Sequence, residues 1–174
     1  MYNYLTITDM DKTIIIQPES GLQYDWKAIA ANPSGHHEPQ MDLVAYKALY
    51  TNKIAQARAR GLEPVLVSLP VMDEDRYFAS VTRGMSMQER KNILYWLGGK
   101  TERLRNLHAL YNLSLFRLAS TQCVHLIDIT SPMLESAHYE QLLEQDGVTL
   151  SREGQALVEN VLSTFSSRFG LLAG

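Results

Sequence analysis

The sequence lacks most features that mark specialised classes of protein. Its 174 residues contain one cysteine, ten glycines and six prolines, which excludes a disulfide scaffold, a collagen-like repeat and a disordered Pro/Gly-rich chain. No apolar run reaches the roughly 18 residues that a membrane-spanning helix needs. Asp9, Asp11 and Lys12 interrupt the segment where a signal peptide would be apolar. We therefore expect a cytoplasmic protein with no membrane partner.

The chain also carries no excess of positive charge. The formal net charge is -3 and the calculated pI is about 5.9, and the basic residues are scattered, so the chain offers no surface for a phosphate backbone and we expect no nucleic-acid partner. With 45% hydrophobic and 20% charged residues, the composition is that of an ordinary globular protein. Its length suits one domain, residues 1–174, and leaves open whether the chain forms a homo-oligomer.

Three short, nearly continuous apolar runs predict buried strands: "KTIIIQ" (residues 12–17), "EPVLVSLP" (63–70) and "CVHLIDI" (123–129). Longer segments with helical periodicity separate them. The apolar positions of the two clearest helices are Leu43, Tyr46, Tyr50, Ile54 and Ala57, then Leu104, Leu107, Tyr111, Leu115 and Leu118. Within the last run, Cys123 has no second thiol or metal-ligand spacing, so we expect it to be a small buried residue.

Capping signals predict two further helices. Ser86 is followed three residues later by Glu89, the spacing of a capping box, and this helix should end at Gly98 and Gly99. The last helix should begin after Ser151. Strands that alternate with such helices predict a three-layer α/β/α sandwich, flavodoxin-like, with a parallel sheet and right-handed crossovers. The N-terminal "MYNYLTIT" is either a further strand or an arm.

In an open parallel sheet, ligands bind beyond the carboxyl ends of the strands. This rule selects the segments "PESG", "LPVMDED" and "ITSP", together with the loop at Asp146 that precedes the last helix. The candidate ligand-binding residues in or near these segments are Gly21, Trp26 and Asp73.

Several segments, in the same order along the chain, resemble the SGNH (GDSL) hydrolases, bacterial esterases and acylhydrolases. They are "YDWKAIAANPSGHHEPQ", "ARARGLEPVLVSLPVMDEDRYF", "NILYWLGG", "LYNLSLFRLAS" and "HLIDIT" followed by "DGVTLSREGQALV". The resemblance implies the α/β/α fold and hydrolysis of acyl esters of small molecules or carbohydrates, without a cofactor or metal. It also implies a serine in a GDS block, a Gly and an Asn in the oxyanion hole, and an Asp three residues before a His.

Most of these residues have no counterpart. The sequence "GDS" is absent, so the resemblance implies that the family's first strand and its serine are missing. Ser20 falls near the oxyanion-hole asparagine, with Glu19 at the expected glycine, and the acid is retained as Asp146. Thr149 replaces the catalytic histidine, and a threonine hydroxyl does not accept a proton near neutral pH. We therefore expect no turnover of short p-nitrophenyl esters and no labelling by a fluorophosphonate probe, since both need a base-activated serine. Labelling of one serine that depends on one histidine would instead show a rearranged site.

Three interpretations remain open. The chain is a truncated or degenerate esterase, a binding or scaffold module that uses the old cleft, or a hydrolase with a rearranged site. The third needs a histidine from elsewhere as the base. His138 is nearest in sequence to Asp146, whereas His108 and His125 lie in apolar patterns typical of core or boundary residues.

Each candidate also has a structural interpretation. Asp146 starts an Asp-Gly turn, and Thr149 is a capping or packing residue. Trp26, with Tyr24, either stacks on a sugar ring or packs its loop down. The adjacent His36 and His37 suggest a metal site with Glu38 and Asp42, but neighbouring positions in a Pro- and Gly-containing loop are more typical of a solvated surface. The stretch "MDEDRYF" either lines the site or is a charged surface loop.

Overall fold

The computed structural model describes residues 12–168. In this part of the chain three parallel strands, β1 (Thr13–Ile16), β2 (Glu63–Val67) and β3 (His125–Ile127), form one sheet in the order β1-β2-β3. The helices are α1 (Trp26–Ala31), α2 (Leu43–Ala59), α3 (Glu74–Val81), α4 (Met87–Trp96), α5 (Glu102–Gln122), α6 (Thr130–Glu135) and α7 (Arg152–Arg168). A 3-10 turn, Tyr139–Leu142, follows α6.

Alternation along the strands divides the core into two layers. Ile16 and Leu66 belong to the larger apolar cluster, which the buried faces of α1, α2, α4 and α5 complete. Their neighbours Ile15 and Val65 belong to a second cluster with Val158 of α7. Because successive residues of a strand point to opposite faces, these two clusters lie on opposite sides of the sheet. The predicted α/β/α architecture is confirmed.

Local signals define the helix starts as predicted. Ser86 caps α4 through a complete capping box: its Oγ accepts from Glu89 N, and the Glu89 carboxylate accepts from Ser86 N. Asp42 caps α2 with its side chain alone, accepting from Ala45 N, a cap that we did not predict from the sequence. Ser151 accepts from Gly154 N at the start of α7. These side chains satisfy N–H groups that the first turn of a helix leaves without partners.

Two predictions for the last strand are wrong. Cys123 is exposed rather than buried, because α5 ends there with the cysteine in the left-handed conformation, at φ 50°. The strand then begins only at His125, which is exposed as well, although we expected a core or boundary residue. The segment "MYNYLTIT" lies outside the described residues. Between residues 12 and 168, no helix is both long and apolar enough to cross a bilayer.

Candidate functional site

Buried tyrosines hydrogen-bond to the backbone of the loop that follows β1. Tyr46 donates a hydrogen bond to the carbonyl oxygen of Glu19 (2.9 Å), and the Tyr50 hydroxyl accepts one from the Glu19 N–H (3.0 Å). Tyr111 packs edge-on against Tyr46, with ring centroids 4.9 Å apart, and donates to the carbonyl oxygen of Met41 (2.6 Å). These hydrogen bonds fix the backbone on both sides of Glu19 and so position Ser20, the next residue.

Gly21 leaves no room for a side chain. A Cβ atom built on it would overlap the Tyr111 ring, 2.7 Å from Cδ1 and closer still to Cε1. The ring cannot move aside easily because it is buried and its hydroxyl is hydrogen-bonded. Gly21, predicted as a ligand-binding residue, therefore allows the close approach of the Ser20 loop to α5.

We expect Gly21→Ala to lower the free energy of unfolding by about 1 to 3 kcal/mol, the usual cost of overpacking. The measurement is urea denaturation, combined with a double-mutant cycle. In a Tyr111→Leu background the overlapping ring is gone, so the added methyl group should cost much less. An equal cost in both backgrounds would show that the loop does not rest on Tyr111.

Ser20 contacts a histidine that is distant in sequence. Its Oγ lies 2.9 Å from Nδ1 of His108, which projects from α5. The other ring nitrogen, Nε2, lies 2.8 Å from the carbonyl oxygen of Pro70. A carbonyl can only accept, so Nε2 carries the proton and Nδ1 accepts the hydrogen bond from the Ser20 hydroxyl. The N–H of Leu22 donates to the same Ser20 oxygen (3.2 Å).

The expectation that His108 is a satisfied buried residue is confirmed. Its side chain has both ring nitrogens hydrogen-bonded, and the residue is 8% exposed. Burial lowers the pKa of His108, and the hydrogen bond to the Pro70 carbonyl offsets this only in part. The imidazole is therefore neutral near neutral pH.

A polar network places the Pro70 carbonyl. Asn112, one turn beyond His108 on α5, accepts from the Leu69 N–H (2.8 Å) and donates to the Thr130 hydroxyl (2.9 Å). Thr130 in turn donates to the Leu69 carbonyl (2.6 Å). The end of β2 is thus tied to α5 directly and to α6 through Thr130.

A cavity of about 390 Å³ opens beside Ser20 at the carboxyl edge of the sheet. We call it the Ser20 cavity. Its walls come from four parts of the chain: the loop after β1, the loop after β2, His108 of α5 with Tyr77 of α3, and the loop before α7 with Val148 and Thr149. Ser20 and Thr149 therefore lie at the same edge of the sheet, as their positions after strands predict.

A second, mainly apolar cavity of about 430 Å³ lies on the other side of His108. We call it the α6 cavity because Thr130 and Leu134 of that helix line it. It shares His108 and the segment 70–72 with the Ser20 cavity.

Asp146 and Thr149 form a closed turn. One carboxylate oxygen of Asp146 accepts from the N–H groups of Val148 (3.0 Å) and Thr149 (2.9 Å), and the other accepts from the Thr149 hydroxyl (2.6 Å). Partial burial alone would raise the pKa of Asp146, but the hydrogen bonds from Thr149 and Val148 outweigh it and lower the pKa. The loop's own groups thus bond both carboxylate oxygens, which agrees with the turn interpretation.

The other two predicted ligand-binding residues have clear structural contacts. Asp73 caps α3, accepting from Arg76 N (3.1 Å), and its own N–H donates to the carbonyl oxygen of Gly147 (2.9 Å). Trp26 packs against Tyr24 and Tyr77, with centroid distances of 5.5 and 6.2 Å. Neither Asp73 nor Trp26 lines the Ser20 cavity or the α6 cavity.

The remaining histidines considered from sequence lie in surface contacts. His36 pairs with Glu38 (2.9 Å), and His37 Nε2 bonds the carbonyl oxygen of Asn32 (2.7 Å). His138 faces Glu140 at 3.6 Å. In the part of the chain that the structure describes, no three His, Cys, Asp or Glu side chains converge as metal ligands would.

Three solved structures that resemble this chain to different degrees carry hydrolase names. A GDSL-like lipase from Bacteroides thetaiotaomicron has a TM-score of 0.55 at 12% identity, with 90% of this chain and 62% of that chain covered. A lipase/acylhydrolase from Enterococcus faecalis has a TM-score of 0.45 at 14% identity, and the match covers 72% of this chain and 51% of that chain. A proposed SGNH hydrolase from Slackia heliotrinireducens has a TM-score of 0.45 at 18% identity, and the match covers 86% of this chain and 62% of that chain. The sequence matches no protein-family model and no curated protein.

The likeness to the Bacteroides lipase shows the fold: the chain has the α/β architecture of SGNH hydrolases. The resemblance seen in the sequence is confirmed at this level. The chain spans less than two thirds of the length of each of the three structures.

Proposed function

We propose that this hydrolase-fold protein binds acyl esters of small molecules or carbohydrates in the Ser20 cavity, without a cofactor. The observation that carries the proposal is the cavity itself. Its volume of about 390 Å³ falls in the range of small-molecule sites, roughly 300 to 1,000 Å³, and it lies where ligands bind in parallel α/β sheets. Most of its lining is apolar, with the polar groups of Ser20, His108 and Thr149 among the exceptions.

The proposal assigns a structural role to Asp146 and Thr149. In a Ser-His-Asp triad the acid orients the histidine and stabilises its charged form. Thr149 cannot take a proton, and its hydroxyl and N–H are both bonded to Asp146. The turn therefore forms one wall of the cavity and supplies no base. A non-catalytic binding or scaffold module is the alternative function, and it uses the same cavity.

The test is a thermal-shift comparison of short-chain acyl esters and acetylated sugars with their free alcohols and carboxylates. An ester at about 100 times its dissociation constant should stabilise the protein by about 2.7 kcal/mol. Gln23, exposed at the cavity wall, is the site for a blocking variant: Gln23→Trp should weaken binding at least ~10-fold.

The matched control is Gln88→Trp, which places the same side chain on the exposed surface of α4. It should bind esters like the unmodified protein. Stabilisation by no ester, or equal stabilisation of Gln23→Trp and Gln88→Trp, would contradict an ester site in this cavity.

A further inference from the structure

We propose that Ser20 and His108 form a nucleophile–base pair that cleaves acyl esters in the Ser20 cavity. The proposal rests on the ester binding proposed above and adds the chemistry. It uses a histidine from α5 in place of the position that Thr149 occupies. Its first support is geometric: the separation of 2.9 Å between Ser20 Oγ and His108 Nδ1 lies within the reach needed for a base to activate a hydroxyl.

The second support is the fixed tautomer of the imidazole. The hydrogen bond from Nε2 to the Pro70 carbonyl (2.8 Å) leaves the lone pair of Nδ1 directed at Ser20. The carbonyl thus orients the base, which is the part that the acid plays in a triad. The hydrogen bonds of Asn112 to Leu69 and Thr130 hold the backbone at Leu69, the residue before Pro70, in place.

The third support is the difference in exposure between the two groups. His108 is only 8% exposed, and burial keeps the ring in the neutral form that accepts protons. Ser20 is half-buried and lines the cavity, so a ligand in the cavity lies beside it. The Leu22 N–H (3.2 Å) would stabilise negative charge that develops on that oxygen.

The reaction balances with water as the co-reactant. Ser20 Oγ forms a bond to the acyl carbon while its proton passes to His108 Nδ1, and the carbonyl electron pair moves onto the carbonyl oxygen. When that pair returns, the ester C–O bond breaks and the alcohol leaves with the proton from His108. Water then attacks the acyl-serine, giving its proton to His108, and the Ser20 oxygen recovers it as the carboxylic acid leaves. Turnover should be slow, because a carbonyl stabilises imidazolium less than a carboxylate does.

A purely structural pair would give the same hydrogen bond, so the test must report reactivity. The unmodified protein is treated with a fluorophosphonate probe, and the adduct is located by peptide mapping. We expect one adduct, on Ser20, that Ser20→Ala removes and Ser120→Ala, an exposed serine of α5, retains. His108→Gln should lower the labelling rate at least ~100-fold, the usual contribution of a general base.

The pH dependence gives a readout that needs no histidine variant. Labelling of Ser20 should fall as the pH drops through the pKa of His108, which lies below its ordinary value of 6.5. The titratable groups that share the two cavities with His108 are Glu19 and Tyr77 on one side and Arg105 and Tyr139 on the other. Glu19→Gln should leave the midpoint in place if His108 is the group that titrates.

The outcomes separate this inference from the proposed function. Esters that stabilise the protein without any probe adduct on Ser20 would overturn the nucleophile and leave the binding site standing. An adduct on another residue, or a rate unchanged by folded His108→Gln, would overturn it as well. Absence of both binding and labelling would contradict the two proposals together.

Discussion

Raising the pH from about 9 to about 12 should strongly lower the free energy of unfolding of this protein, because its buried tyrosines ionise much less readily in the folded state. Burial raises the pKa of Tyr77 and of Tyr111 to about 12. Burial, followed by the neighbouring Tyr50 and Tyr111, raises the pKa of Tyr46 further. In the unfolded chain the same groups ionise near pH 10. The folded state then binds more protons, so stability falls as the pH rises from about 10 towards 12.

The size of the effect is large relative to the stability of a domain. Since one pKa unit is worth about 1.4 kcal/mol, Tyr77 and Tyr46 together should cost on the order of 5 kcal/mol by pH 12. Ordinary domains have about 5 to 15 kcal/mol in total. The free energy of unfolding should therefore fall steeply in this range, with tyrosinate absorbance rising as the chain unfolds.

The matched variants are Tyr77→Phe and Tyr95→Phe. Tyr77→Phe loses the hydrogen bond to the Leu22 carbonyl (2.9 Å) and so lowers stability at neutral pH. It should also reduce the fall in stability between about pH 9 and 12 by about 2 to 3 kcal/mol. Tyr95 is 68% exposed, and Tyr95→Phe should leave that fall unchanged. Equal falls in the two variants would contradict the role given to Tyr77.

The sequence predicts those parts of the fold that depend on interactions between residues close together along the chain. The strand at residues 63–67 shows as an apolar run, and the capping box at Ser86 shows as a three-residue spacing. Asp146 likewise starts the turn that its Asp-Gly pair predicts, because its hydrogen bonds reach no further than Thr149. The prediction of a buried Cys123 fails because the helix end falls inside the apolar run, where the sequence pattern does not mark it.

The candidate site depends instead on contacts between distant parts of the chain. Ser20 and His108 are 88 positions apart, and nothing in the sequence between them shows that the end of β1 meets this side of α5. One signal was available: His108 is a histidine on the apolar stripe of a helix, between Leu104 and Tyr111. A buried histidine needs partners for its ring nitrogens, but only the fold shows that one partner is a serine in a cavity.

The turn at Gly147 should tolerate no side chain. Its φ is +73°, a left-handed conformation, and a Cβ atom there would overlap the carbonyl oxygen of Asp73 and lie 2.8 Å from the Tyr77 N. The conformation costs a non-glycine residue about 1 to 2 kcal/mol, and the overlap about 1 to 3 kcal/mol more. Gly147→Ala should thus lose about 3 kcal/mol in total.

Gly84 provides the matched control for this substitution. Its φ is +79°, but nothing lies within 4 Å of the Cβ position, so Gly84→Ala should cost only the conformational part, about 1 to 2 kcal/mol. Urea denaturation of both variants separates the two contributions. Because Val148 and Thr149 follow Gly147 and line the Ser20 cavity, Gly147→Ala should also weaken ester binding, whereas Gly84→Ala should not. Equal losses of stability in the two variants would show that the Asp146 loop does not dock on α3.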